Sequence, residues 1–321
     1  MDSSHKIIAY YFLTSIDNPQ IEVALHKAYF KDKDIKSRIY ISEEGINCQM
    51  SAEAHVADNY INWLKERPQF ADIFFKIDPY HEHVFPKQTV KYRRQLVAFD
   101  APVDYANSGK HVSPQEWDQM IAKGDSVVID VRNDYEWKIG HFEGAECPPC
   151  QKSKDFIAYA EQLKLRVDPK KTPVMMYCTG GIRCETFSTL LKEGGFEQVY
   201  QLNGGVINYG HENGSKHWNG KLFVFDDRMA IPLSDSPSTP ISNCQHCNQP
   251  SDTYINCANM DCNHLFLCCP SCLEKRQGCC KSSCSSSPNL RPYHKLTAHK
   301  PFLKKHNYRN SKPSATPPIN Q

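Results

Sequence analysis

Val174-Met175-Met176-Tyr177-Cys178-Thr179-Gly180-Gly181-Ile182-Arg183-Cys184 decides the fold at the centre of this chain. The apolar run Val174 to Tyr177 reads as a strand buried on both faces, as in a parallel sheet. It delivers a cysteine into a Gly-rich turn, and an arginine closes the turn as a helical segment begins. That order makes a thiolate. Turn N–H groups and the positive end of the helix stabilise negative charge, and Arg183 adds a full positive charge as a loop anion stabiliser. The Cys178 thiol is therefore expected below the free value of about 8.5. The loop backbone of Thr179, Gly180, Gly181 and Ile182 forms a concave set of N–H groups able to hold an anionic sulfur. A buried cysteine beside an ordinary glycine turn is the plain alternative; Cys-x4-Arg with two glycines at a strand-to-helix junction argues against it. Cys184, just inside the helix, is either a resolving thiol for a sulfenate or persulfide on Cys178 or a small buried thiol.

Outward from this loop, residues 105–230 read as α/β. Ser113 caps a helix that has Pro114 at its first position. Val127 to Val131 is a second continuous apolar strand and Gln198 to Leu202 a third, ending at Asn203-Gly204-Gly205. Strand, helix and strand in this order imply a right-handed parallel crossover, with ligands beyond the carboxyl ends of the strands, where Cys178 falls.

Residues 1–100 alternate differently. Strands are expected over Lys6–Thr14, Ser37–Ser42, Ile46–Ser51 and Ile73–Ile77, with helices from Pro19 to about Lys33 and over Ala52–Lys65, the first capped by Asp17 or Asn18. This β-α-β-β-α-β order predicts a ferredoxin-like (acylphosphatase-like) α+β domain. Val90–Phe99 is expected as a further strand. Lys87, Lys91, Arg93 and Arg94, with Phe85 and Tyr92, are candidates for gripping RNA phosphates and stacking on bases; a charged, solvated sheet edge is the competing reading.

Residues 231–243 are a linker by composition. Of the 15 cysteines, ten fall within residues 244–284. Cys244/Cys247, Cys257/Cys262, Cys269/Cys272 and Cys280/Cys284 form four pairs, enough for two structural, all-cysteine zinc sites. An interleaved pairing, first with third and second with fourth, would tie this core-poor segment together, but spacing leaves the pairing open, with Cys268, Cys279, His246 and His264 as substitutes. Cys147-x2-Cys150 is a weaker pair. Residues 285–321 form a basic tail expected to be disordered: after Glu274 no acidic residue follows, while Arg291, Lys295, Lys300, Lys304, Lys305, Arg309 and Lys312 are basic. Such a tail attracts polyanions or is simply solvated. No cleavable apolar leader and no membrane-spanning run is apparent, so a cytoplasmic protein with no membrane partner is expected.

Asp130-Val131-Arg132, Glu136, Gly140-His141-Phe142-Glu143-Gly144-Ala145 and Leu202-Asn203-Gly204-Gly205-Val206, taken with the Cys178 loop, resemble a rhodanese domain. Asp130 and Arg132 are expected to fix loops by ion pairing. Rhodanese-fold phosphatases carry one more residue between cysteine and arginine; the shorter spacing here suits a persulfide or a compact intermediate rather than phosphate.

Three further stretches, Glu43-Glu44-Gly45-Ile46-Asn47, Phe74-Phe75-Lys76-Ile77-Asp78 and Gly220 to Arg228, together with the loop and the Cys-rich end, resemble the rhodanese-related tRNA uridine hydroxylases. The resemblance implies conversion of wobble uridine (position 34) to 5-hydroxyuridine with molecular oxygen as co-substrate, tRNA bound through its anticodon loop, and Cys178 as the active-site residue. The sequence carries no flavin fingerprint and no His/carboxylate iron triad, so the electron donor stays unknown, as do protein partners. A rhodanese-type sulfurtransferase carrying a Cys178 persulfide is the alternative.

Overall fold

The computed structural model describes residues 3–99, 102–149 and 153–292. They divide into two compact units. One runs to Phe223 and takes in Pro232–Ser238; the other comprises Val224–Ile231 and the chain from Thr239. The segment read as a linker is therefore partly packed: Leu233 lies against Gly210, where an added Cβ would come within 2.6 Å of its Cδ1.

The first unit begins with the expected β-α-β-β-α-β order: β1 (His5–Leu13), α1 (Pro19–Phe30), β2 (Ile35–Ser42), β3 (Gly45–Glu53), α2 (Ala54–Lys65) and β4 (Lys76–Tyr80). With β5 (Val90–Tyr92) they make a five-stranded sheet in the order β4-β1-β3-β2-β5. Of the two candidate caps, Asn18 acts: its side chain accepts from the Ile21 N–H at 3.2 Å. Alternate residues Ile39, Ile41, Ile46, Cys48 and Met50 point into the core with Tyr60 and Leu64 of α2.

Two strands differ from expectation. The fourth begins three residues later than Ile73, because Ile73 is held in a turn by its N–H to the Phe70 carbonyl. It is an edge strand, so Pro79 interrupts no ladder. The fifth stops at Tyr92 rather than Phe99: beyond Arg93 the chain turns to side-chain acceptors, Leu96 N–H to the Glu44 carboxylate (2.6 Å) and Phe99 N–H to Gln95 (3.3 Å).

The α/β part follows: β6 (Lys110–Val112), α3 (Pro114–Lys123), β7 (Val127–Asp130), α4 (Asp134–Ile139), β8 (Gly140–Phe142), α5 (Ser153–Lys164), β9 (Val174–Tyr177), α6 (Ile182–Glu193), β10 (Val199–Leu202), α7 (Gly205–Asn213) and β11 (Trp218–Gly220). Strands β6, β10, β9 and β7 pair in parallel in that order. Ser113 and Glu116 complete a capping box at the start of α3. Asp130 and Arg132, expected to pair, do so with both side chains fully buried (2.6 Å). The guanidinium lies over the rings of Tyr177 and Trp218. Phe142, from β8, packs edge-on against Tyr177, Tyr209 and Trp218 at centroid distances of 4.8–5.1 Å.

The second unit has a short hairpin, Tyr254–Asn256 with Leu265–Leu267, and a helix, Pro270–Lys275. Cysteines supply most of its interior, beside Ile255, Phe266 and Leu273. It continues past Cys284: Arg291 N–H donates to Ala258, and its buried side chain bonds Asn263. Arg291 thus belongs to the module and not to a basic tail. The tail from Lys295 onward and Cys150 lie outside the described residues. Among the described residues, no helix is long and apolar enough to cross a membrane.

Phe142→Ala should lower stability by about 3–5 kcal/mol, the usual cost of emptying a buried aromatic site. Urea unfolding followed by tryptophan fluorescence, with Trp117 and Trp218 adjacent to the site, would read it. A loss under 1 kcal/mol would contradict the packing.

Candidate active site

Cys178 leaves the carboxyl end of β9 and is 1% exposed. Its Sγ accepts the Gly181 N–H at 3.1 Å. Gly181, at φ +105°, caps α6; a side chain there would be strained and would meet the Tyr11 ring at 2.9 Å. The first turn of α7 closes the loop from the other side, with Val206 and Ile207 N–H donating to the carbonyls of Cys178 and Thr179. Gly205 is required there, since its φ is +69° and a Cβ would sit 2.6 Å from the Cys178 carbonyl.

Burial by itself would push the Cys178 thiol up. The hydrogen bond from Cys184, the Arg183 charge and the N–H groups of Arg183 and Gly181 outweigh it and bring the thiol down to about 5. Cys184 is driven the opposite way, by its own burial and by donating to an already negative sulfur. The two thiols thus form a thiolate and its donor. Cys184 is the protonated partner of the pair.

Arg183 is held differently from a simple anion clamp. Both terminal nitrogens bind the buried Glu136 carboxylate, Nη1 to Oε1 at 2.6 Å and Nη2 to Oε2 at 2.9 Å. Thr179 Oγ1 donates to the same carboxylate at 3.1 Å. Burial opposes the Glu136 charge, but Arg183 and the nearby Arg132 hold the carboxyl below its usual range. Arg183 therefore acts on Cys178 through its field and backbone N–H while its fork locks the loop to α4.

The ferredoxin-like sheet completes the site. Tyr11 of β1 donates to Glu185 at 2.6 Å, and Glu185 also binds His111 (2.9 Å) and Gln201 (3.0 Å). Lys76 of β4 donates to the Gly180 carbonyl at 2.9 Å. Burial pulls its ammonium down to about 8, against the opposing pull of the Cys178 charge. Phe74, 52% exposed, flanks Gly204. Sequence reasoning assigned no role to Tyr11, Lys76 or Glu185. The one available signal was a lysine in a motif whose neighbours are Phe74, Phe75 and Ile77.

Lys87, Lys91, Arg93 and Arg94 are exposed along and beside β5. Arg93 lies over the Tyr40 ring and Tyr92 donates to Glu43. Phe85 cannot stack on a base: it is buried against Ile7 and Val84.

Eight of the ten cysteines of the second unit separate into two groups, Cys244, Cys247, Cys269 and Cys272, and Cys257, Cys262, Cys280 and Cys284, each with its sulfurs within 4.8 Å of one another. This is the interleaved pairing. Cys247–Cys269 and Cys262–Cys280 Sγ distances of 3.6 Å match the ~3.8 Å edge of a tetrahedron with metal–sulfur bonds near 2.3 Å and are far too long for disulfides. Both groups can hold a metal ion. Cys268, Cys279, His246 and His264 belong to neither.

The chain matches three family descriptions: UPF0176 acylphosphatase like domain over residues 5–96, Rhodanese-like domain over 113–212, and Rhodanase C-terminal over 219–285. It is similar to a curated relative named tRNA uridine(34) hydroxylase from Protochlamydia amoebophila, 55% identical over 96% of each chain. A relative of the same name from Chlamydia abortus is 53% identical over 95% of this chain and 94% of its own. A solved rhodanese-like domain from Anabaena, 20% identical, covers 34% of this chain and 78% of its own, with a TM-score of 0.29.

Glu136→Ala strands the Arg183 guanidinium and should cost about 3–5 kcal/mol, against under about 1 kcal/mol for Lys164→Ala in the exposed pair with Glu161. Equal losses in chemical denaturation would contradict the lock.

Proposed function

The chain belongs to the tRNA uridine(34) hydroxylase family, and we propose that it converts the wobble uridine of tRNA to 5-hydroxyuridine in the cytoplasm, with Cys178 as nucleophile and molecular oxygen as co-substrate. The observation that carries this reading is the buried Cys178 sulfur surrounded by donors: the Gly181 and Arg183 N–H groups and the Cys184 thiol. Such a sulfur is ionised at neutral pH and poised for addition.

The thiolate adds to C6 of the uracil. A sulfur–carbon bond forms, the C5–C6 π pair moves toward C5 and O4, and C5 becomes electron-rich toward oxygen. One oxygen atom ends on C5 and the other leaves as water, with two electrons from an external donor and two protons from that donor or solvent; loss of the C5 proton to solvent and of the thiolate restores the ring. An anticodon-loop base is splayed out at little cost. The exposed Phe74 ring at the edge of the loop offers it a stacking surface, while Lys87, Lys91, Arg93 and Arg94 attract the phosphates. Cys184 is the resolving thiol: where a peroxide released from the oxygen chemistry oxidises Cys178 to its sulfenic acid, the Cys184 thiol condenses with it to a disulfide and water, protecting the nucleophile from further oxidation.

The two cysteine groups hold one structural zinc each. Four thiolates fill a tetrahedral ion and leave no open position, so the metal contributes folding and not chemistry.

Three outcomes follow. In a strain lacking this gene, the intact chain should restore 5-hydroxyuridine at position 34 and Cys178→Ser should not, by nucleoside mass spectrometry; restoration by the serine variant would sink the nucleophile. Cyanide-dependent thiosulfate turnover matching the tRNA activity would instead favour sulfur transfer. Because the thiolate is the active form, activity should rise with pH through about 5 and not depend on this group from about pH 6.5 upward. Purified protein should carry two zinc ions per chain, and stripping them with a chelator and mercurial should unfold the second unit.

A further inference from the structure

Lys76 and Cys178 touch the two ends of one peptide group. The Gly180 carbonyl accepts from the Lys76 ammonium at 2.9 Å, and the N–H of the same peptide, on Gly181, donates to Cys178 Sγ at 3.1 Å. Lys76 is 3% exposed, and among the described residues no carboxylate forms a salt bridge with it. Its strand partner is Ala9 of β1, and two residues on from Ala9 stands Tyr11, which packs on Gly181. The first and fourth strands of the ferredoxin-like sheet therefore deliver a cation to the back of the cradle.

We propose that Lys76 is a positioning residue for the thiolate: it orients and polarises the Gly180–Gly181 peptide so that the Gly181 N–H is aimed at Cys178. A charged donor on a carbonyl strengthens the hydrogen bond made by the N–H of the same amide. An unrestrained glycine peptide is free to rotate and turn its carbonyl toward the sulfur, which would repel the charge; the ammonium holds that carbonyl away. The burial cost of the amine is borne for this purpose, and the sulfur's negative charge offsets part of it.

Other groups face both ends. Cys184 and Arg183 of α6 and Tyr11 of β1 face the sulfur, with Arg183 held by Glu136 and Tyr11 by Glu185. His211 of α7, paired with Asp78 at 2.7 Å, faces Lys76. Of these, Tyr11 also meets Lys76 directly, its ring centroid 5.5 Å from the ammonium.

The inference rests on Cys178 being a thiolate, and the test separates the two. The full chain labelled with [3-13C]cysteine reports ionisation of each thiol through its Cβ shift, with the Cys178 signal identified by its loss in Cys178→Ser. The unmodified protein should titrate near 5. In Lys76→Met, checked for folding by circular dichroism, the midpoint should rise by about one pH unit or more, and Lys76→Arg should stay within a few tenths of the original. A midpoint unchanged in folded Lys76→Met overturns the role of Lys76 and leaves the thiolate standing. A wild-type midpoint near that of a free thiol, about 8.5, overturns both. Should Lys76→Met not fold, the Gly181 amide nitrogen of the unmodified protein decides: it should shift once near pH 5 with the sulfur and again near pH 8 with the ammonium. Absence of the second step overturns the proposal.

Discussion

A negative charge on a sulfur that water does not reach has to be met by donors already in place, and much of the first unit is arranged to supply them. Cys178 is removed from solvent, so every donor around it must be fixed by something behind it. The Gly181 N–H is fixed by the positive-φ geometry of its glycine and by Lys76. The Arg183 N–H is fixed by the start of α6 and by the fork on Glu136. Glu136 in turn is held by the capping box that starts α4. Removing any of these leaves a charge or a dipole unbalanced.

This explains why the ferredoxin-like sheet and the parallel sheet form one compact unit rather than two beads on a string. On one side the loop is closed by α7. Tyr11 of β1, Phe74 on the approach to β4 and Lys76 of β4 contribute further contacts to it or its neighbours. Glu44, bonded to Tyr105 and to the Leu96 N–H, fastens the connection between the sheets. A sheet that exposes Lys87, Lys91, Arg93 and Arg94 along and beside one edge strand thus also contributes, through Lys76 at the other edge, to the electrostatics around Cys178.

The second unit solves a different problem. Its short hairpin and single helix bury too few apolar side chains to offset the entropy of ordering. Cysteine sulfurs fill the centre instead, in two groups of four. Interleaving matters physically: each group joins residues about 25 apart in sequence (Cys244 with Cys269, Cys257 with Cys280), so an ion held by each would cross-link the whole segment where adjacent pairing would staple only two small loops.

Much of this was legible in the order of the residues. The apolar runs at Val127 and Val174, the Ser113 cap, the β-α-β-β-α-β succession and the thiolate signature of Cys178 are local patterns, and local patterns carry over into local structure. Less local matters failed or stayed open. Val90–Phe99 looks like one strand, but the Glu44 carboxylate competes for its backbone. Phe85 looks like a stacking ring, but Ile7 and Val84 cover it. Arg183 looks like a clamp on the sulfur, but Glu136, 47 residues earlier, takes its fork. By itself the sequence marked a cysteine at the end of a parallel strand as a candidate thiolate and four cysteine pairs as able to hold metal, because those readings follow from spacing and helix polarity. Only the tertiary structure decided which sulfurs share an ion, and that a lysine 104 residues before Gly180 completes the thiolate's cradle. A contact between distant strands depends on how two sheets pack, and no periodicity along the chain records it.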